Sequence, residues 1–218
     1  MDPVELIRTG TAEQLGALLR ERPQLAAARP DGARTLLHAV TDWPGHFPES
    51  GAKVAVLVAA GADPNARFAG DAHSETPLHW AASCDDVEAL DALLDAGADL
   101  EADGAVVGGG TPLADAVAFG QWAAAARLLE RGARVNLWQA AALGLEDRVR
   151  EDLARNPNAE ELDHALWCAA HGGRRATAEL LLEAGADPTW VGHDDLTAAQ
   201  AAERSGAHGL AARLRGKD

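Results

Sequence analysis

His164, Cys168 and His171 stand at i, i+4 and i+7, a spacing that puts imidazole and thiol groups on one face of a helix. Zinc takes such ligands. Seven residues of helix rise by about 10.5 Å, however, too far for one ion to gather all three, so the pattern is expected to hold no metal. Asp115 is a single carboxylate inside the apolar run Leu113-Ala114-Asp115-Ala116-Val117, one segment on from His79 and Trp80. A buried acid beside a histidine is the raw material of a general base, and equally of a structural hydrogen bond between segments, the reading preferred here. The His-Glu-x-x-His, paired-cysteine and Gly-x-Ser-x-Gly patterns do not occur. Gly104-Ala105-Val106-Val107-Gly108-Gly109-Gly110 lacks the lysine of a phosphate-binding loop and is taken as a turn between segments. No catalytic residue, metal or cofactor is expected.

These residues are positioned by a recurrent unit. Thr76-Pro77-Leu78-His79-Trp80-Ala81-Ala82 opens with a good N-cap and a proline at the first helical position. Asp85-Asp86 then turns the chain. Val87, Leu90, Leu93 and Leu94 recur at helical spacing, and Gly97 supplies the left-handed residue that closes a second helix. Gly61-Ala62-Asp63, Gly97-Ala98-Asp99, Gly132-Ala133-Arg134 and Gly185-Ala186-Asp187 mark four such closures, 36, 35 and 53 residues apart. The long last interval hides a degenerate unit ending near Asn156. With its Thr-Pro-Leu-His-x-Ala-Ala and Leu-Leu-x-x-Gly-Ala-Asp signatures the chain resembles a stand-alone bacterial-type ankyrin repeat protein. The fold this implies is all-α, an α-solenoid of stacked helix-turn-helix repeats with degenerate capping repeats, since one helix pair cannot bury its own apolar face.

A single domain over residues 1–218 is expected. Its amino-terminal cap occupies about 2–34, five repeats about 35–67, 76–108, 111–134, 135–157 and 158–190, and a closing unit about 196–215. Asp2-Pro3 and Thr11-Ala12-Glu13-Gln14 read as helix starts of the cap. The first repeat is long: 41 residues separate Thr35 from Thr76, eight more than the usual 33. The excess, Asp42 to Gly51, carries two prolines and two glycines with Trp43 and Phe47, which are costly to leave in water. The fourth repeat starts so soon after Gly132 that its projecting hairpin is missing. Asn158-Ala159-Glu160-Glu161 opens a longer first helix, reaching about His171.

The chain has 218 residues, 47% of them hydrophobic, and a formal charge of −15. Between Arg67 and Arg127 there is no lysine or arginine but a block of aspartates and glutamates. That field repels phosphate backbones and argues against nucleic acid. Glu88, Asp91 and Asp95 share one helix face and are expected to be a solvated outer surface. No run is long enough to span a membrane and no amino-terminal signal is evident, so a soluble cytoplasmic protein is expected. Cys84 and Cys168 fall in different repeats and are taken as reduced thiols.

In the ankyrin fold, as the resemblance implies, partners are held by turn tips and by the last residues of first helices, lining a concave groove. The positions expected to bind a partner are Trp43, His46, Phe47, Phe68, His73, Cys84, Phe119, Leu143 and His171. His38 and His79, and Trp138 and Trp167 in the equivalent place, are expected to be structural. The leading functional reading is a non-enzymatic scaffold binding another protein through that groove. The competing one is a small-molecule pocket, or an enzyme, where the 42–51 loop closes over His79, Trp80, Asp115, Phe119 and Trp122. Whether that loop closes a pocket or packs on Phe119 as a satellite core is left open. A third reading, drawn from the acidic block, is an antidote or regulator of a basic partner.

Overall fold

The computed structural model describes residues 2–70, 73–106 and 109–216. Asp71 of the acidic block and Val107 and Gly108 of the glycine-rich connector lie outside the described residues. Within them the chain is helical, and the β-pairing is a single bridge between Val191 and Thr197. It forms two compact units, Met1–Ala133 and Arg134–Asp218. In the first unit α1 (Pro3–Thr9), α2 (Ala12–Glu21), α3 (Leu36–Val40), α4 (Ser50–Ala59), α5 (Pro77–Ser83), α6 (Val87–Asp95), α7 (Pro112–Ala118) and α8 (Trp122–Glu130) follow as antiparallel pairs. First helices pack on first helices, α3 on α5 on α7, and second on second, α2 on α4 on α6 on α8. The second unit repeats this with α9 (Leu137–Leu143), α10 (Glu146–Leu153), α11 (Ala159–His171), α12 (Arg175–Glu183), α13 (Ala198–Arg204) and α14 (His208–Leu214): α9, α11 and α13 form one layer, and α10 packs on α12.

Local chemistry explains the helix starts. Thr35 and Thr76 are N-caps whose capping boxes are closed by a histidine rather than the usual Glu or Gln. His38 Nδ1 lies 2.8 Å from Thr35 Oγ1 and 3.3 Å from the Thr35 amide; for His79 and Thr76 the distances are 2.9 and 3.1 Å. Because Nδ1 accepts from a backbone N–H, the proton sits on Nε2. From there His38 donates to the carbonyl of Glu75 and His79 to that of Gly110, each at 3.2 Å. Each signature histidine thus caps its own helix and ties it to the turn of the next repeat. Burial holds both below the ordinary histidine pKa, His38 at about 4.

Gly61, Gly97, Gly132 and Gly185 adopt φ of +88 to +100° at the closures, and Asn156 takes φ 56° where the degenerate unit ends. The long loop after α3 packs onto the turn between α5 and α6. His46 donates its amide to Asp86 (2.9 Å) and pairs Nε2 with the Cys84 carbonyl (3.1 Å), while Ser50 Oγ donates to Asp86 (3.1 Å). It neither seals a pocket nor buries Phe119, which stays 49% exposed beside a Trp43 that is 80% exposed. The acidic face of α6 is solvated as expected, with Glu88 and Asp95 exposed, and it carries surface ion pairs: Asp91 with Arg127 and Arg131, and Asp95 with Arg131 (2.7 Å), from α8 and its C-cap.

Candidate functional site

A cleft of about 470 Å³ opens in the first unit. The end of α3 contributes Thr41, Asp42 and Trp43; the hairpin before α5 contributes His73 and Glu75. Trp80, Ser83 and Cys84 come from α5 and its cap, Val106 from the next hairpin, Phe119 and Gln121 from the end of α7. Repetition causes this convergence. First helices stacked in register bring the residues that end each of them to the same edge, and successive hairpins bring their tips opposite it. Of the four large apolar side chains most exposed among the described residues, Trp43, Val106 and Phe119 all rim this cleft; the fourth, Val191, is in the second unit.

Glu75 is the polar hub, and the sequence reading passed over it. It is 6% exposed and accepts the Trp80 indole N–H at 2.7 Å and the Val106 amide at 3.0 Å, while its carbonyl takes the Phe68 amide at 2.8 Å. His73 Nδ1 lies 2.9 Å from its carboxylate, and the His73 ring stacks on Phe68 with centroids 4.5 Å apart. Beside it lies Asp115, fully buried, whose carboxyl group has the Glu75 carboxylate as its hydrogen-bonding neighbour and no further partner among the described residues. Burial and the Glu75 charge push Asp115 up to about 8.

The expected bond between Asp115 and His79 is therefore corrected. Both ring nitrogens of His79 are taken by Thr76 and Gly110, and Asp115 faces a second acid instead. Of the alternative pocket set, Trp80 lines the cleft, whereas His79, Asp115 and Trp122 do not. Of the nine partner positions, Trp43, His73, Cys84 and Phe119 line it. His46 turns to the α5–α6 junction, Phe47 is half-buried, Phe68 lies beneath His73, and Leu143 and His171 belong to the second unit. Burial raises the Cys84 thiol to about 11, which makes it a poor nucleophile at neutral pH.

In the second unit a smaller cleft, about 340 Å³, is lined by Asn158, Glu160, Glu161, His164, Trp190 and His193. His164 does not join Cys168 and His171. Its Nε2 lies 3.1 Å from that of His193, with Trp138 and Trp190 beside it. Among the described residues no group of three or more His, Cys, Asp or Glu could hold a metal ion.

The sequence profile "Ankyrin repeats (3 copies)" matches residues 15–138, more than half of the chain, and "Ankyrin repeat" matches 162–193. The chain belongs to the ankyrin repeat family. Such repeats generally mediate protein–protein interaction. Among solved structures, the ankyrin repeat domain of human ASB11 is similar over 98% of this chain and 97% of its own, with 19% identity and a TM-score of 0.60. The ankyrin repeat domain of Bcl-3, described as a unique member of the IkappaB protein family, is similar over 96% and 97%, with 23% identity and a TM-score of 0.58. At these identities the likeness shows the fold alone. No curated protein matches the chain. Among the described residues no helix is long and apolar enough to cross a membrane.

Proposed function

We propose that this ankyrin protein is a non-enzymatic interaction module that holds another protein in the cleft of its first unit. The observation that carries the reading is the convergence of Trp43, Val106 and Phe119, each about half exposed or more, on one concavity. Exposed aromatic residues gathered around a cleft are where interface energy concentrates. Covering Trp43 and Phe119 removes roughly 200–250 Å² of apolar surface from water, about 5–6 kcal/mol. Association costs on the order of 4–15 kcal/mol. Aromatic burial alone therefore gives at best weak binding, and directional polar contacts must supply the rest.

The pocket and enzyme readings draw less support, because His79 is fully buried with both nitrogens committed and the 42–51 loop leaves the cleft uncovered. The antidote reading keeps only part of its acidic surface, because Asp91 and Asp95 are already paired with Arg127 and Arg131. The test is to change Trp43 and Phe119 together to Ala and compare native partners recovered on the full chain. At least tenfold loss with unchanged helical content supports the reading; equal recovery refutes it.

A further inference from the structure

We propose that this cleft reads one cationic side chain, an arginine or lysine flanked by apolar residues, on the segment of the partner protein that it holds. The inference rests on the protein-binding reading above and names the chemistry of the occupant.

Charge complementarity carries it. No lysine or arginine lines the cleft, and none occurs between Arg67 and Arg127. Asp42 is already answered by Arg34 at 2.6 Å. Glu75 is not: among the described residues its ion-pair partner is His73, which is neutral unless protonated. Behind it Asp115 is a second buried acid whose one polar neighbour is Glu75 itself, so the pair has no cation among the described residues. Buried negative charge without a cation is costly, and the cost is relieved by a proton or by an incoming positive group. Glu75 is also built to receive one. The bonds from Trp80 and Val106 fix the carboxylate at the cleft wall; with the Asp115 bond they occupy three of its roughly four acceptor sites and leave capacity for an ammonium or a guanidinium. Trp80 and Phe119 line the same cleft, and aromatic faces attract cations, most strongly where water is excluded. The apolar rim then asks for hydrophobic residues on either side of the charge.

A proton is linked to this event. A cation on Glu75 stabilises the ionised form of Asp115, so binding releases protons and tightens as pH rises toward 8. The other titratable groups facing the acid pair are His73 from the hairpin, His38 from α3 and His79 from α5. His38 and His79 are held neutral by burial, and a His73→Gln background isolates Asp115.

The test selects a displayed random-peptide library on the full chain, synthesises the winners, and replaces their arginine by citrulline, which keeps the shape and removes the charge. The expected result is winners with Arg or Lys beside apolar residues, a citrulline penalty of tenfold or more on the wild type, and less than threefold on Glu75→Gln. Winners that are lost on the Trp43→Ala, Phe119→Ala variant but carry no cation, or tolerate citrulline, overturn this inference and leave the groove reading standing. Winners indifferent to that variant, or none at all, overturn the groove reading and this inference with it.

Discussion

Asp115→Asn is the substitution whose effect the structure sets most sharply. In the folded chain Asp115 is fully buried beside Glu75 and titrates at about 8, against 3.8 for an ordinary aspartate. The folded state therefore binds a proton that the unfolded state has released. Stability from this group is fully present below pH 3.8 and is lost as pH rises toward 8, at about 1.4 kcal/mol per pH unit. From pH 5 to pH 8 the wild type loses roughly 3–4 kcal/mol by this route. Asparagine copies the protonated shape and cannot ionise, so the variant escapes the loss. The assay is urea unfolding of both proteins at pH 5, 6, 7 and 8. His38 and His79 pull stability the other way at acid pH, but equally in both proteins, and cancel in the difference. The amide's own unmet hydrogen bonds add a constant offset, so the slope is the quantity to read. Expected is a variant that gains on the wild type steadily with pH. Parallel curves would refute the reasoning and mean that Asp115 is ionised with a partner.

Trp43→Ala, at a side chain 80% exposed, should change stability by less than about 0.5 kcal/mol in thermal or urea unfolding while weakening partner binding at least tenfold. His38 stays neutral down to about pH 4 when folded, whereas an unfolded histidine protonates near 6.5; lowering the pH from 7 to 4 should cost about 3 kcal/mol through it, and its ring proton shifts should not titrate between pH 5.5 and 8 in NMR spectra. Gly172→Ala should destabilise by roughly 1–3 kcal/mol, because a Cβ there overlaps the Ala142 backbone where α9 meets the end of α11. Gly209→Ala, inside α14 with open space around it, should instead stabilise by a few tenths to about 1 kcal/mol; urea midpoints of the two alanine variants should move in opposite directions.

The helices were legible because their signals are local. The Thr-Pro-Leu-His starts, the Asn158 capping box and the left-handed closures each act within four or five residues of themselves, so spacing exposes them. The same registration foretold that Trp43, Cys84 and Phe119 would share an edge. Glu75 escaped because nothing near it is unusual. Its importance comes from Trp80, Val106 and Asp115, on three different elements, the last 40 residues away. The His164–His193 pair spans 29 residues, and the loop between α12 and α13 that carries His193 has no periodic pattern to place it. Lys53, fully buried with Nζ donating to the Ile7 carbonyl at 2.7 Å, was likewise hidden, because a lysine in an apolar helix signals exposure unless a partner is known. Short-range chemistry wrote the repeats, and long-range pairing wrote the site.

Partner contact in the Trp43–Phe119 cleft is open to a direct test. A photo-reactive benzoylphenylalanine placed at Phe119 should crosslink a discrete partner in the native cell, and the same group at exposed Glu130 on α8, outside the cleft, should not. Adducts formed from position 130 and none from position 119 would contradict the account.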